Sequence, residues 1–378
     1  MKKGIYQKDW FNVIDSEKLI SPGLIIFPEI INRNIKNMVS IAGSESRLWP
    51  HVKTHKLEEV VNLQKQFGIK KFKCATICEA NMLASCEVEN ILLAIQPSIQ
   101  NLKLLIELQS SFPKIEFSTI VDNQNTLKLM TQIAQETNIK LALWLDINNG
   151  MNRTGVFSKD SGTELIKTIF KNKNLIFKGL HVYDGHIRHN NYKKRKEECD
   201  KAYSFVDDIK NEIEKEGVQV PNIITGGSPT FNIHSKRKGN FLSPGTTLLW
   251  DAGYESLFPE MNFEIGALVV SRVISKPQEN LLCFDLGHKS VASEMPLPRV
   301  IIHGLEKAKH ISQSEEHLIV ETSAANEYEV GDIVYATPYH ICPTVAKYEY
   351  VQTIEKERVS SIWQVKSRTY NLNNVFNF

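Results

Sequence analysis

The sequence predicts an α/β fold: a (β/α)8 barrel of the TIM type, followed by a C-terminal, mainly antiparallel β domain. From about residue 20 to 250, short apolar runs alternate with longer amphipathic stretches, the pattern of buried parallel strands joined by helices. About eight such repeats are typical of a (β/α)8 barrel. After about residue 260, β-rich runs separated by turn residues replace the helical pattern, which indicates an antiparallel domain. We therefore assign residues 19–255 to the barrel and 256–378 to the β domain, with 1–18 as a candidate addition to it.

The predicted barrel strands are apolar runs of about 4–8 residues, too short for helices. They span residues 24–27, 71–75, 91–95, 115–121, 141–146, 177–182 and 222–225. Helix-like stretches between them span residues 57–67, 77–85, 125–136 and 164–170. In the β domain, the predicted strands include residues 267–274, 318–321 and 332–336. A doubly wound sheet is the alternative fold, which we rank second because no Gly-x-Gly-x-x-Gly follows the first strand.

Composition and charge narrow the classes of function. Hydrophobic residues make up 42% and charged residues 23% of the 378-residue chain, as in ordinary globular proteins. The net charge of +2 gives no reason to expect nucleic acid or an anionic membrane as partner. We see neither an apolar run of about 18 residues nor a signal peptide, and so predict no membrane span. Six scattered cysteines without a Cys-x-x-Cys pair indicate reduced thiols and a cytoplasmic protein.

The segment Trp49-Pro50-His51-Val52-Lys53-Thr54-His55-Lys56 carries two histidines and two lysines behind one proline. A lysine between an apolar neighbour and other cations can have its pKa lowered, which makes its amine a nucleophile toward carbonyl compounds. Lys53 is therefore a candidate to form a Schiff base. A basic surface turn is the alternative interpretation of this segment.

Three further polar segments follow predicted barrel strands, where functional residues of such barrels lie. Residues 146–155 include Arg153, which can donate hydrogen bonds to a ligand oxygen or form a loop salt bridge. Residues 181–186, His-Val-Tyr-Asp-Gly-His, carry more polar groups than packing requires. The turn Gly226-Gly227-Ser228 is a plausible phosphate cradle of backbone N–H groups.

Two segments of the predicted β domain are rich in polar groups. His340 and Cys342 are two residues apart, so on an extended strand both side chains would lie on one face. Imidazole and thiolate together suit Zn²⁺, and a buried histidine and cysteine without metal is the alternative. Residues 285–294 are predicted to form a long polar hairpin loop.

Taken together, these segments resemble the family of D-threonine aldolases and D-serine dehydratases. These are pyridoxal-phosphate enzymes with an alanine racemase-like barrel and a C-terminal β domain. The resemblance extends over residues 21–344, and Pro-His-Val-Lys-Thr-His-Lys is its most specific element. Its ordered companions span residues 73–80, 150–155, 226–230 and 243–245. Trp49 departs from the pattern, because the family usually has arginine before this proline.

The resemblance implies a role for each motif. Lys53 would form the Schiff base with pyridoxal 5′-phosphate, Arg153 would face its phenolic oxygen, and Gly226, Gly227 and Ser228 would hold its phosphate. His340 and Cys342 would bind a divalent metal, Zn²⁺ or Mn²⁺. We also assign His51 and Tyr183 to cofactor binding, and Lys53 and His186 to catalysis, with His186 as a candidate base.

The implied activity is that of a metal-dependent lyase for small β-hydroxy D-amino acids. We rank D-threonine aldolase activity first, because residues 181–186 resemble aldolase-like members; it would yield glycine and an aldehyde. D-serine dehydratase activity, which yields a keto acid and ammonia, ranks second because His-x-Cys resembles the eukaryotic dehydratases. A racemase would have no obvious use for the metal pair, and the second domain argues against a non-catalytic carrier of the cofactor. The resemblance also implies a homodimer.

Overall fold

The computed structural model describes residues 11–369, whose regular elements alternate between strands and helices in the first two thirds of the chain. The strands are β1 (Gly23–Ile26), β2 (Lys71–Cys74), β3 (Asn90–Leu93), β4 (Glu116–Val121), β5 (Leu141–Ile147), β6 (Leu175–Val182), β7 (Ile223–Thr225), β8 (Asn240–Leu242), β9 (Ala267–Gln278), β10 (Leu281–Phe284), β11 (Val300–Ile302), β12 (Lys309–Gln313), β13 (Leu318–Glu321), β14 (Ile333–Pro338), β15 (Tyr350–Glu355) and β16 (Arg358–Gln364). The α-helices are α1 (Pro28–Ala42), α2 (Glu58–Gln66), α3 (Ile77–Ser85), α4 (Ile99–Ser111), α5 (Gln124–Glu136), α6 (Lys159–Phe170), α7 (Tyr192–Lys215), α8 (Phe231–His234), α9 (Ala252–Leu257) and α10 (Ile341–Val345). None of the helices described is both long and apolar enough to span a membrane.

A parallel sheet forms the predicted barrel, with strands β2 to β8 paired in the order of the chain. Residues 48–51 join its two edges: single parallel bridges pair Leu48 with Leu242 of β8 and His51 with Lys73 of β2. The Pro50 ring leaves this segment without one backbone N–H donor, which explains why it pairs through isolated bridges. The barrel is thus confirmed, with seven regular strands and one short bridging segment.

The apolar run at residues 24–27 is a strand, as predicted, but it does not belong to the barrel. As β1, it pairs antiparallel with β9 and parallel with β15 in the second sheet. A continuous apolar run has the same appearance in a buried strand of either sheet, so periodicity could not separate the two. The assignment of this run to the barrel was therefore wrong.

The second sheet is mainly antiparallel, as predicted. Its strands run in the order β12-β13-β10-β9-β1-β15-β16, and β14 pairs with both β9 and β11. The twelve-residue strand β9 pairs with β1, β10 and β14, and its first five residues are buried. Most of this sheet therefore assembles on β9.

An aromatic cluster fills the barrel interior beneath the strand ends. Trp49 is 3% exposed and packs edge-on against Trp144 and Phe241, with ring centroids 5.8 and 6.2 Å away. Trp144 Nε1 donates to Ser118 Oγ at 3.1 Å, whereas Trp49 Nε1 has no hydrogen-bond partner among residues 11–369. The position before this proline, where the resembled family usually has arginine, therefore lies in an apolar interior in this chain.

We predict that Trp49→Arg destabilises the protein far more than Trp49→Phe. The arginine would bury an unpaired charge, whereas phenylalanine loses only volume, and Trp49→Ala should cost about 3–5 kcal/mol. Urea unfolding measures the free energies, with Phe157→Ala as control because Phe157 is 80% exposed. A Trp49→Arg variant as stable as wild type would mean that the interior accepts a charge.

Candidate active site

The side chain of Tyr183 lies at the centre of the strand ends. Its ring centroid is 5.9 Å from Lys53 Nζ, 5.6 Å from Lys73 Nζ and 4.8 Å from Arg153 Cζ, all distances at which a cation is attracted to a ring. Lys53 follows the bridging segment, Lys73 lies on β2 and Arg153 lies between β5 and α6. The barrel therefore brings together Lys53, Arg153 and Tyr183, which the sequence analysis had assigned to one site from separate segments.

His51 positions the backbone of Lys53. The His51 N–H donates to the Pro244 carbonyl at 2.8 Å, and His51 Nδ1 accepts from the Lys53 N–H at 3.3 Å. Lys53 itself is half-buried. The imidazole thus has a structural contact that holds the segment carrying the lysine, and its contact with a cofactor stays a prediction.

The turn Gly226-Gly227-Ser228 after β7 requires its two glycines. Gly226 has a φ of +76°, and a Cβ there would lie 3.0 Å from His234 Cδ2; a Cβ at Gly227 would lie 2.8 Å from Tyr183 Cε2. The glycines therefore permit close approach that a larger residue would block. Ser228 Oγ accepts from the Gly245 N–H at 3.1 Å, which ties the turn to the segment after β8.

A buried network underlies this turn. Asp184 accepts hydrogen bonds from Thr230 Oγ1 at 2.6 Å and His234 Nε2 at 2.8 Å. Burial would raise the pKa of Asp184, but the electrostatic attraction of His234 and these hydrogen bonds lower it overall. Gly227 N–H donates in turn to Thr230 Oγ1 at 3.4 Å. The carboxylate of Asp184 therefore holds the glycine turn in place.

Cys199 joins this network and completes a set of metal-ligand types. The ligand atoms of Asp184, Cys199 and His234 lie within 4.8 Å of one another. Arg237 Nε donates to His234 Nδ1 at 3.3 Å, so the imidazole proton is on Nε2, where it bonds to Asp184. Burial also raises the pKa of the Cys199 thiol, which opposes the thiolate that a metal needs. We therefore interpret the cluster as a hydrogen-bonded network, one that sequence spacing could not reveal.

His186 is exposed and lies beside the loop that follows β5. A Cβ on Gly150 would be 3.0 Å from its Nε2. Nothing in this geometry assigns a proton transfer to the imidazole, and its role as a base stays a prediction.

The proposed metal pair lies at a helix start and not on a strand. β14 ends at Pro338, His340 is the N-cap of α10 and Cys342 is in its first turn. The expectation that both side chains share one face of an extended strand was therefore wrong. The chain turns here because Pro343 fits within the first turn of a helix, where no intrahelical N–H bond is lost.

His340 and Cys342 nevertheless interact with each other. Burial would lower the pKa of His340, but a hydrogen bond to Cys342 and its charge, with the hydrogen bond to Glu294, raise it to about 9. His340 Nδ1 is 2.5 Å from Glu294 Oε1, and Cys342 Sγ is 3.1 Å from Thr54 Oγ1. A carboxylate on one nitrogen of a histidine is the usual support for metal binding by the other. Imidazole and thiolate are ligand types that Zn²⁺ accepts. From the sequence, Glu294 was placed in a polar loop and was not associated with His340.

Two observations test whether a cofactor fits the barrel site. Ser243 Oγ is buried and has no hydrogen-bond partner among residues 11–369, and such a hydroxyl is costly unless a ligand pairs with it. A water-sized cavity lined by Asp146, Arg153, Thr154 and Tyr183, among others, lies at the strand ends. The Arg153 guanidinium and the Ser243 hydroxyl can donate hydrogen bonds to an anionic ligand, and this donor chemistry fits pyridoxal phosphate.

Comparison with known proteins gives matches along nearly the whole chain. The family model described as alanine racemase, N-terminal domain, matches residues 28–252, and one described as putative serine dehydratase domain matches residues 266–354. The chain is 25% identical over 369 residues to the 3-hydroxy-D-aspartate aldolase of Paracoccus denitrificans (strain Pd 1222), with 94% of each chain covered.

Two solved structures share the fold at lower identity. D-threonine aldolase from Filomicrobium marinum has a TM-score of 0.83 at 22% identity, covering 95% of this chain and 97% of that one. D-threo-3-hydroxyaspartate dehydratase from Delftia sp. HT23 has a TM-score of 0.83 at 17% identity, covering 94% and 98%. Another solved structure is described as a D-threo-3-hydroxyaspartate dehydratase mutant in the metal-free form, with a TM-score of 0.81 at 17% identity.

We predict that Asp184→Asn lowers the free energy of unfolding by about 1.5–3 kcal/mol at pH 7, the usual contribution of a hydrogen bond to a charged group. The folded-state pKa of Asp184 lies below its unfolded value of about 3.9. Its contribution is thus present above about pH 3.9 and is lost as the pH falls through the folded pKa.

The measurement is denaturant unfolding of both proteins between pH 3 and pH 7. Asp208→Asn is the matched control, because Asp208 makes an exposed salt bridge with Lys159, which should contribute about 0–1 kcal/mol. Equal effects of the two substitutions at pH 7 would contradict a supporting role for Asp184.

Proposed function

The chain belongs to the family that joins an alanine racemase N-terminal domain to a putative serine dehydratase domain; from this premise we propose that it is a pyridoxal-phosphate- and metal-dependent lyase of β-hydroxy D-amino acids. The observation that carries the proposal is the convergence of Lys53, Arg153 and the Gly226–Ser228 turn around Tyr183 at one barrel mouth. This cofactor requires an amine nucleophile, a hydrogen-bond donor for its phenolic oxygen and a turn that holds its phosphate.

Each of these residues would hold a different part of the cofactor. The Lys53 amine would bind it covalently, the Arg153 guanidinium would donate to its phenolic oxygen, and the Gly226-Gly227-Ser228 turn would hold its phosphate. Ser243 Oγ is a further donor without a partner among residues 11–369. When bound, the cofactor supplies an electron sink for negative charge at the substrate Cα.

The other residues of the proposal handle protons and the hydroxyl group. His186 would take the proton of the substrate β-hydroxyl, and its exposure lets it return that proton to solvent. His340 and Cys342 would hold a divalent metal, with Glu294 orienting the imidazole. A metal there would supply a Lewis acid for a hydroxyl oxygen. The thiolate favours Zn²⁺, with Mn²⁺ as the alternative.

We rank aldolase activity first. The Paracoccus aldolase matches 94% of the chain, and the substrates we propose include D-threonine and 3-hydroxy-D-aspartate. Dehydratase activity is the second candidate, favoured by the His340-x-Cys342 pair and by the likeness to the Delftia fold. A carrier without activity would have no use for that metal pair. The resemblance leads us to propose a homodimer as well.

A product assay distinguishes these activities. Purified protein with pyridoxal phosphate and a divalent metal is offered D-threonine, D-serine and 3-hydroxy-D-aspartate separately. We expect glycine with acetaldehyde from D-threonine, or glycine with glyoxylate from 3-hydroxy-D-aspartate. Pyruvate and ammonia from D-serine without glycine would support the dehydratase. Absence of every product, with cofactor bound, would contradict the lyase proposal.

We predict that Lys53→Ala abolishes covalent attachment of the cofactor. Borohydride reduction followed by peptide mass spectrometry should find the pyridoxyl group on Lys53 in the wild type and on no peptide of the variant. Lys71→Met is the control and should still be labelled at Lys53. Labelling at Lys73, whose Nζ is 5.6 Å from the same tyrosine ring, would overturn the assignment.

We predict that His340→Ala and Cys342→Ser each lose the bound metal, because removal of either residue leaves only one of the two proposed protein ligands. Glu294→Gln should keep the metal with about 10–100-fold weaker affinity. Elemental analysis of dialysed protein measures the content, and a chelator should abolish activity. Cys283→Ser is the control for a buried cysteine. Metal lost from Cys199→Ser instead would place the site at the Asp184 network.

A further inference from the structure

Lys73 is a buried lysine that the proposed function leaves without a task. It lies on β2 and is 2% exposed, although lysine is almost never fully buried unless it is paired. Lys71 points to the same side of that strand, because side chains alternate along it. Lys71, however, is half-buried and lies over Phe241, with 4.4 Å between its Nζ and the ring centroid. The side chains of Lys71 and Lys73 therefore lie in neighbouring layers on the same side of β2.

Lys73 forms one end of a line of buried polar groups across three strands. Its Nζ is 3.4 Å from His181 Nε2 on β6, and His181 Nδ1 is 2.7 Å from Asp146 Oδ1 on β5. Asp146 Oδ2 accepts from Gln96 Nε2 at 2.9 Å. An ionised carboxylate can only accept, so the imidazole proton is on Nδ1. His181 Nε2 is then the acceptor and the Lys73 amine is its donor.

The charges around this line set the protonation states of its members. Burial and the charges of Lys53 and Arg153 lower the pKa of Lys73 to about 7, against the opposing attraction of Asp146 and Asp184. Burial also lowers the pKa of His181, aided by the charges of Lys73 and Arg153 and opposed by Asp146. Burial would raise the pKa of Asp146, but His181, Thr154 and Gln96 lower it overall. The imidazole is therefore neutral and the carboxylate ionised.

We propose that Lys73 is a positioning residue of the cofactor site: through its hydrogen bond it keeps His181 neutral with the proton on Nδ1, and its ammonium adds to the positive charge of the barrel mouth. This inference rests on the proposed function only for the identity of the anion that is bound. Loss of a proton from Lys73 frees His181 Nε2 from a charged donor and removes one of three cations around Tyr183. Affinity for a phosphorylated cofactor therefore falls as Lys73 loses its proton.

The first test reads the histidine directly. In apoprotein labelled with ¹⁵N-histidine, and with His181→Gln to assign the signal, we expect His181 as the Nδ1–H tautomer from pH 6 to 8. Lys73→Met should raise the pKa of His181, because a neighbouring cation is removed. Lys73→Arg should preserve the tautomer, and Lys71→Met should have no effect. Unchanged His181 signals in Lys73→Met would overturn the positioning role.

The second test measures binding without chemistry. Pyridoxamine 5′-phosphate has no aldehyde to react with Lys53, so its dissociation constant reports the site's affinity for the phosphorylated ring alone. At pH 6 we expect about tenfold weaker binding to Lys73→Met than to wild type, within the usual size of coupling between sites. The ratio of the Lys73→Met and wild-type dissociation constants should approach one at pH 9. Lys73→Arg keeps its charge and should therefore bind more tightly than Lys73→Met at both pH values. A ratio independent of pH would overturn the electrostatic role.

A wild-type titration covers the case in which Lys73→Met does not fold. In protein labelled with [ε-¹³C]lysine, with Lys73→Arg to assign the signal, Lys73 should titrate near neutral pH. A midpoint close to the ordinary lysine value of about 10.4 would overturn the inference. Failure of every variant and of the wild type to bind pyridoxamine phosphate would instead contradict the proposed cofactor and leave the histidine result to decide the role of Lys73.

Discussion

Closure of the barrel at residues 48–52 is the constraint on which the site depends. Trp49 and His51 N–H groups donate to the carbonyls of Leu242 and Pro244, and Val52 and Lys73 complete the pairing with β2. Each such bond contributes only about 0.5–1.5 kcal/mol net. Together they hold the segment that leads to Lys53 between the first and last strands of the sheet, and Lys53 Nζ lies 5.9 Å from the centroid of the Tyr183 ring. Without that closure, Lys53 and the glycine turn would not be held at the same end of the barrel.

Two buried histidines near this site have the same kinds of hydrogen-bond partners. His181 bonds through Nδ1 to Asp146 and through Nε2 to Lys73; His234 bonds through Nε2 to Asp184 and through Nδ1 to Arg237. In each case, a carboxylate and a cation occupy the two ring nitrogens and determine the tautomer. Fully satisfied polar networks in a low-dielectric interior make a site rigid. One network lies below the glycine turn, and the other borders the cations around Tyr183.

The β domain has a polar cluster of its own, which forms at the start of a helix. His340, Cys342 and Glu294 come together at the start of α10, where a short helix follows directly after β14. The i to i+2 spacing identified two residues that interact but led to the wrong backbone conformation, because a strand and a helix start can both bring such residues together. Glu294 lies 46 positions earlier in the chain, too far for spacing to associate it with His340.

The sequence by itself determined the family, the barrel followed by a β domain, and the segments around Lys53, Arg153 and Gly226–Ser228. These follow from local periodicity and short motifs, which depend on residues close together in the chain. Only the tertiary structure decided that β1 pairs in the second sheet, that Trp49 packs in an apolar interior, and that Lys73 and His234 lie in buried polar networks. Strand pairing and buried hydrogen bonds join residues far apart in sequence, as with Lys73 and His181, 108 positions apart. A linear pattern carries no signal for such partners, since they become neighbours only when the barrel closes.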